Sequence, residues 1–232
     1  MAFGALTLGC AQIRHEYHLA PGKAFSASAT RALLLPINET EAIPDGLEVG
    51  QENVFAELQR YLESQGLRVQ TVDSYAYRAA ANRATESAHE RMLAAQTSSA
   101  AGELRFEHIV PALFSSLQSD AELLILANLV IRTGESSGGR STRWDGVKRR
   151  IPVPSRWRFE GTESVASVYV SVYERDGSAV FSGYGGLDLL FAPNLREERY
   201  QLIPDRLQDL DNIREGVCVA FYPYFGEDER CG

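Results

Sequence analysis

Residues 165–181 read VASVYVSVYERDGSAVF, and their pattern decides the fold class. Ala166, Val168, Val170 and Val172 fall on one side of an extended chain, with Ser167, Tyr169, Ser171 and Tyr173 on the other. That period of two is the signature of a half-buried strand. Asp176-Gly177 then offers residues that accept the left-handed backbone of a tight turn, and Ala179-Val180-Phe181 leads back. The segment predicts an antiparallel β-hairpin in the C-terminal half of the chain.

Working toward the N-terminus, Glu122 to Ile131 (ELLILANLVI) is the most hydrophobic stretch and predicts a central strand. A second continuous apolar run, Ala32 to Ile37, fits a strand buried on both faces. Between them, Val54, Phe55, Leu58, Tyr61 and Leu62 make one helical stripe, and Gly66 stands where a left-handed C-cap is wanted. Leu67 to Val72 predicts a strand, which completes a βαβ unit. Residues 75–100 are Ala-rich and predict a helix of weak amphipathicity, while Phe106, Ile109, Val110, Leu113, Phe114 and Leu117 form a cleaner stripe around Pro111. Gly134 to Arg158 has no period and reads as a loop. Leu207, Leu210 and Ile213 predict a short helix ending at Gly216, and Val217 to Tyr222 a last strand. The sum is an α/β fold: a mixed β-sheet with helices packed on its faces, in one domain over residues 30–232.

The 232 residues, 44% hydrophobic and 23% charged, are enough for a core that needs no metal or cross-link. A net charge of −8 argues against nonspecific nucleic-acid binding. No apolar run reaches the ~18 residues of a membrane-spanning helix.

The N-terminal residues Met1 to Gly9 carry no charge, and Leu6-Thr7-Leu8-Gly9-Cys10 resembles the lipobox that closes a bacterial lipoprotein signal peptide. There, the cysteine becomes the lipidated first residue. The resemblance marks Cys10 as a lipidation site and residues 1–10 as a partial signal, although Thr7 replaces the usual Leu and the basic leading region is missing. Residues 11–29 (AQIRHEYHLAPGKAFSASA) have no period and read as a flexible tether. Cys218 and Cys231 bracket an aromatic-rich segment. One lipidated cysteine plus one disulfide would use all three cysteines, and two free thiols fit the spacing as well.

The most unusual composition lies in residues 140–158. Arg140, Arg143, Lys148, Arg149, Arg150, Arg156 and Arg158 place seven cations in nineteen residues of an acidic protein, with Trp144 and Trp157 among them and Asp145 as the one acid. Arginine beside tryptophan is a common makeup of a contact surface, so this segment is the candidate partner-binding site.

Other motifs carry less. Gly134-Glu135-Ser136-Ser137-Gly138 matches G-x-S-x-G, but a nucleophile elbow must open a helix, and the polar residues after it have no helical period. All four histidines (His15, His18, His89, His108) precede Ser136, against the usual triad order. Gly183-Tyr184-Gly185-Gly186 lacks the last glycine of a dinucleotide loop and reads as a bend or bulge. His and Cys spacings suggest no metal, and no cofactor is expected.

The order of elements from Ala32 through the hairpin is similar to that of envelope lipoproteins of the LpoB, CsgG and TolB N-terminal type. Glu122 to Ile131, preceded by Ser119-Asp120-Ala121, resembles their strand of an Asp followed by a hydrophobic run. The resemblance implies a protein lipid-anchored at the periplasmic face of the outer membrane that acts by binding, with a protein partner or self-association in an envelope complex. The hairpin here, with Ser167, Ser171 and a short turn, is neither long nor apolar enough for the membrane-inserting hairpins of the CsgG pore. Two alternatives are a soluble hydrolase using Ser136 and a subunit of an oligomeric secretion-type ring.

Overall fold

The alternating segment forms one leg of the longest strand pairing in the molecule. The structure is a computed structural model that describes residues 15–23, 25, 29–95, 104–151, 159–194, 199–226 and 231. In chain order the elements are β1 (Tyr17–Leu19), β2 (Arg31–Leu34), α1 (Gln51–Ser64), β3 (Arg68–Thr71), α2 (Ser74–Ala95), α3 (Phe106–Ser116), β4 (Leu123–Gly139), β5 (Ser141–Trp144), β6 (Val147–Arg150), β7 (Phe159–Glu174), β8 (Ala179–Leu189), β9 (Phe191–Asn194), β10 (Arg199–Leu202) and α4 (Leu210–Phe221). Six strands run side by side in the order β1-β8-β7-β4-β2-β3, with β5 and β6 attached to β4. β2 pairs in parallel with both β3 and β4, and every other pairing is antiparallel. The sheet is mixed, as the sequence pattern implies, and β9 and β10 form a separate hairpin.

Helices cover both faces. Ala166, Val168, Val170 and Val172 are buried with residues of α1 and α4, such as Val54, Leu58, Ile213 and Val217. On the opposite face Leu33, Leu124 and Leu126 pack under α2 and α3, with Tyr173 against them. Residues 166–173 therefore send one side into the α1–α4 layer, whereas the other side divides: Tyr173 joins the second layer, Ser167 bonds Asp145 and Tyr169 lies 4.7 Å from Tyr184, ring centre to ring centre. The β7–β8 turn closes through Gly177 at φ 94, with Gly177 N–H donating to Glu174 O and Ser178 N–H to the Asp176 carboxylate. Asn38 extends the sheet past β2 without being a strand. Its amide side chain donates to Leu129 O at 3.2 Å and accepts from Leu129 N at 2.8 Å.

Three expectations are corrected. The predicted terminal strand Val217–Tyr222 is the second half of α4, which continues through Gly216. A segment buried all round has no amphipathic period, so strand and helix look alike in it. Gly216 is not a stop signal but a contact point. A Cβ there would lie 2.3 Å from Gly186 O, and one on Gly185 would lie 1.8 Å from Gly216 O. The glycines at 183–186 let a helix backbone rest on the sheet, and Leu187 is the extra residue of a bulge against β7. Next, the segment Gly134–Arg158 is not a loop as far as it is described. β4 runs on to Gly139, and β5 and β6 make a second hairpin. Its turn is Asp145-Gly146 at φ 35 and 81, the doubly left-handed geometry of a two-residue hairpin.

The expected tether over residues 11–29 instead contributes β1, an edge strand on β8, and Phe25 N–H donates to Tyr224 O. Of the two readings left open for the last two cysteines, the structure has the disulfide: Cys218, on α4, is joined to Cys231 with a Cα–Cα distance of 5.5 Å. Residues 1–10, Cys10 included, lie outside the described residues.

The glycine contact is open to a stability test. Gly185→Ala should cost about 3 kcal/mol, because neither backbone at the contact can retreat. Gly66→Ala, at φ +87 with open space around it, should cost only about 1 kcal/mol from strain. Equal urea midpoints for the two variants would refute the close-approach account.

Candidate partner-binding hairpin

A two-residue turn fixes the register of β5 against β6. Trp144 pairs with Val147, Arg143 with Lys148, Thr142 with Arg149, and Ser141 with Arg150. Side chains therefore alternate between an inward and an outward face.

The inward face is committed to the fold. Trp144 is 5% exposed, donates its indole N–H to Ala166 O at 3.1 Å, and packs with Val147, Ile151, Val165 and Leu189. Gly186 makes room beneath it, since a Cβ there would lie 2.2 Å from Val147 Cγ2. Arg149, 7% exposed, spends its guanidinium on Leu187 O (3.2 Å), Asn212 O (3.0 Å) and the Glu215 carboxylate. A buried arginine is stable only when its donors are met in this way. Trp144 and Arg149, expected among the contact residues, instead bolt the hairpin to β7, β8 and α4.

The turn is held by charge. The Asp145 carboxylate accepts from Ser167 Oγ at 2.7 Å and from two Arg132 nitrogens, both at 3.2 Å. Arg132 also reaches Glu16, beside β1, and lies 4.2 Å from the centre of the Tyr184 ring. Next to Glu16, the His15 ring sits 5.3 Å from Tyr17 and 5.8 Å from Tyr222. Among the described residues neither of its nitrogens has a hydrogen-bond partner. The turn thus clamps the incoming N-terminal segment.

The outward face is cationic. Lys148 and Arg150 are exposed and Arg143 is half-buried, while Arg140, also half-buried, precedes β5 and stands opposite the buried Ile151. Among the described residues none of these four forms an ion pair. Arg143 stands directly opposite Lys148, an arrangement that costs up to about 1 kcal/mol. Glu135, on β4, is the one acid opposite Arg143. Arg156, Trp157 and Arg158 lie outside the described residues.

Along the outer edge of β6 runs a cleft of about 380 Å³, walled by Lys148, Arg149 and Arg150 and by Asp188, Leu189 and Ile203. Burial pushes the Asp188 carboxyl above its ordinary range, against the opposing pull of the Leu207 and Leu189 N–H groups that donate to it. Sequence reasoning missed this cleft and the Asp145–Arg132 clamp. The Asp145-Gly146 pair was the available signal, the same one that marked the turn at Asp176-Gly177.

Ser136 lies extended on β4 and is followed by β5 rather than by a helix. Its hydroxyl is 2.8 Å from Thr142 Oγ1, which in turn donates to the Glu163 carboxylate at 3.5 Å. Among the described residues no group of three His, Cys, Asp or Glu could hold a metal ion, and no helix is long and apolar enough to cross a membrane.

The clamp gives a pH prediction. Burial holds the His15 imidazole below its ordinary 6.5, outweighing the nearby Asp145 charge and the Tyr184 and Val219 backbone groups. The unfolded chain therefore binds more protons than the folded one in the window just below about 6.5, and stability rises with pH there. Acidification from about pH 7 to about pH 5 should lower the urea midpoint, at less than about 1.4 kcal/mol per pH unit. His15→Phe should flatten that slope, and an unchanged slope would remove His15 from the account.

No protein-family model matches the chain, and no curated protein matches it. Among solved structures, a PelC dodecamer from Paraburkholderia phytofirmans aligns with 92% of this chain and 100% of its own, at 11% identity and a TM-score of 0.41. A likeness at that level assigns neither family nor function.

Proposed function

We propose that this protein is a lipid-anchored, non-enzymatic accessory protein at the periplasmic face of the bacterial outer membrane, binding a protein partner through the β5–β6 hairpin. One observation carries the reading. The hairpin spends Trp144 and Arg149 on rigidity while keeping Arg143 and Lys148 opposed, and Arg150 without an ion pair among the described residues, on its outer face. A surface that holds unpaired like charges in a fixed array is suited to an anionic partner, whose approach relieves the repulsion and is steered by it. Two further features support the anchor and the compartment. Cys10 follows an uncharged apolar lead, and the Cys218–Cys231 disulfide suits an oxidising envelope. The hydrolase alternative gains no support from the placement of Ser136.

Two experiments test the reading. With a secretory leader ahead of residue 10, the protein should incorporate radiolabelled fatty acid in a bacterial host, and Cys10→Ala should abolish the label. A photoreactive residue at Ser141 should trap a partner in cells, and K148E/R150E should remove that adduct without changing the melting temperature. Arg149 is left untouched because its loss would disturb the fold. A label that persists without Cys10 would overturn the anchor, and an adduct that survives the double charge reversal would overturn the docking surface.

A further inference from the structure

The two-residue turn at Asp145-Gly146 also determines where the backbone of β6 points. Trp144 and Val147 flank the turn as a hydrogen-bonded pair, and two bonded pairs further on Ile151 N–H donates to Arg140 O at 2.8 Å. In an antiparallel ladder bonded and non-bonded pairs alternate, so Lys148 and Arg150 occupy non-bonded positions. Their N–H and C=O groups face away from β5. Among the described residues β6 pairs with β5 alone, and Lys148 and Arg150 line the cleft of about 380 Å³. Among the described residues the strand is an open edge, and the Arg149 side chain fastens it to β8 and α4.

We infer that this edge receives an extended acidic segment of the partner as an added strand, its backbone bonding Lys148 and Arg150. The inference rests on the hairpin being the partner surface and names the mode of binding. Strand addition takes affinity from main-chain hydrogen bonds and specificity from alternate side chains. Guest residues on the outward side lie beside the Lys148 and Arg150 cations and are acidic. Those on the inward side meet Leu189 and Ile203 and are apolar, with the Asp188 carboxylate on the same wall disfavouring an acid there. A second copy of this chain is a poor guest for the edge, because β6 against β6 sets Lys148 and Arg150 against their own copies.

The probe is a synthetic hexapeptide alternating valine with aspartate, titrated at low salt into the full chain. Two further forms carry N-methyl groups on the odd or on the even residues. The unmodified peptide should bind, slow hydrogen exchange at the Lys148 and Arg150 amides, and lose affinity at least tenfold in one of the two methylated forms. It should also lose affinity with K148E/R150E. Equal binding of all three peptides without protection of those amides, or no binding of the unmodified peptide, would overturn strand addition. The trapped adduct at Ser141 judges the docking surface separately, so cationic docking can stand where strand addition falls.

Discussion

Where β8 passes under α4, two backbones touch with no side chain between them. The contact of Gly185 with Gly216 brings the helix axis closer to the sheet than any Cβ would allow, and much of the molecule is located by it. With α4 at that depth, Val219 reaches Gly146 in the β5–β6 turn, and Asn212 and Glu215 come within bonding distance of Arg149. The hairpin thus takes its place on the body from a helix that could not sit there with alanine at the contact. Tight packing transmits such a constraint over several residues because cores of this density do not deform freely.

The charged groups divide along the same line. Those facing inward are matched: Arg149 by two carbonyls and a carboxylate, Asp145 by Ser167 and Arg132. Removing one partner would leave a desolvated charge behind, which is why such groups resist substitution. Those facing outward are unmatched among the described residues, at a cost that a freely evolving surface could remove with one substitution. The contrast between satisfied interior charge and unsatisfied exterior charge within a single four-residue strand, β6, is the basis of the functional reading.

Strong periods in the sequence were reliable guides. Val165–Tyr173 with Asp176-Gly177, the stripe from Val54 to Leu62, and the apolar runs at Ala32 and Glu122 all lie in elements of the predicted type. Three readings failed, each for a physical reason. Val217–Phe221 faces apolar neighbours all round, so its helix left no polar side to detect. In β6 the inward position that should be apolar holds Arg149, which hides the alternation of Val147-Lys148-Arg149-Arg150. β1 is three residues long, too short for a period of its own to show, and Glu16 beside it pairs with Arg132. Of the candidate site, composition located the cations, but their division into buried and free required the register of the hairpin, which composition does not carry.

The ordered placement of residues 15–19 has a consequence for reach. With β1 zipped to β8 and His15 packed at the hairpin turn, only residues 11–14 separate Cys10 from the folded body. A span from Cys10 to His15 is at most about 18 Å when fully extended. If Cys10 carries acyl chains, the domain stands on a stub rather than swinging on a long cord. The turn of the hairpin is then confined to a thin layer just beneath the bilayer, and any molecule that meets it must enter that layer too.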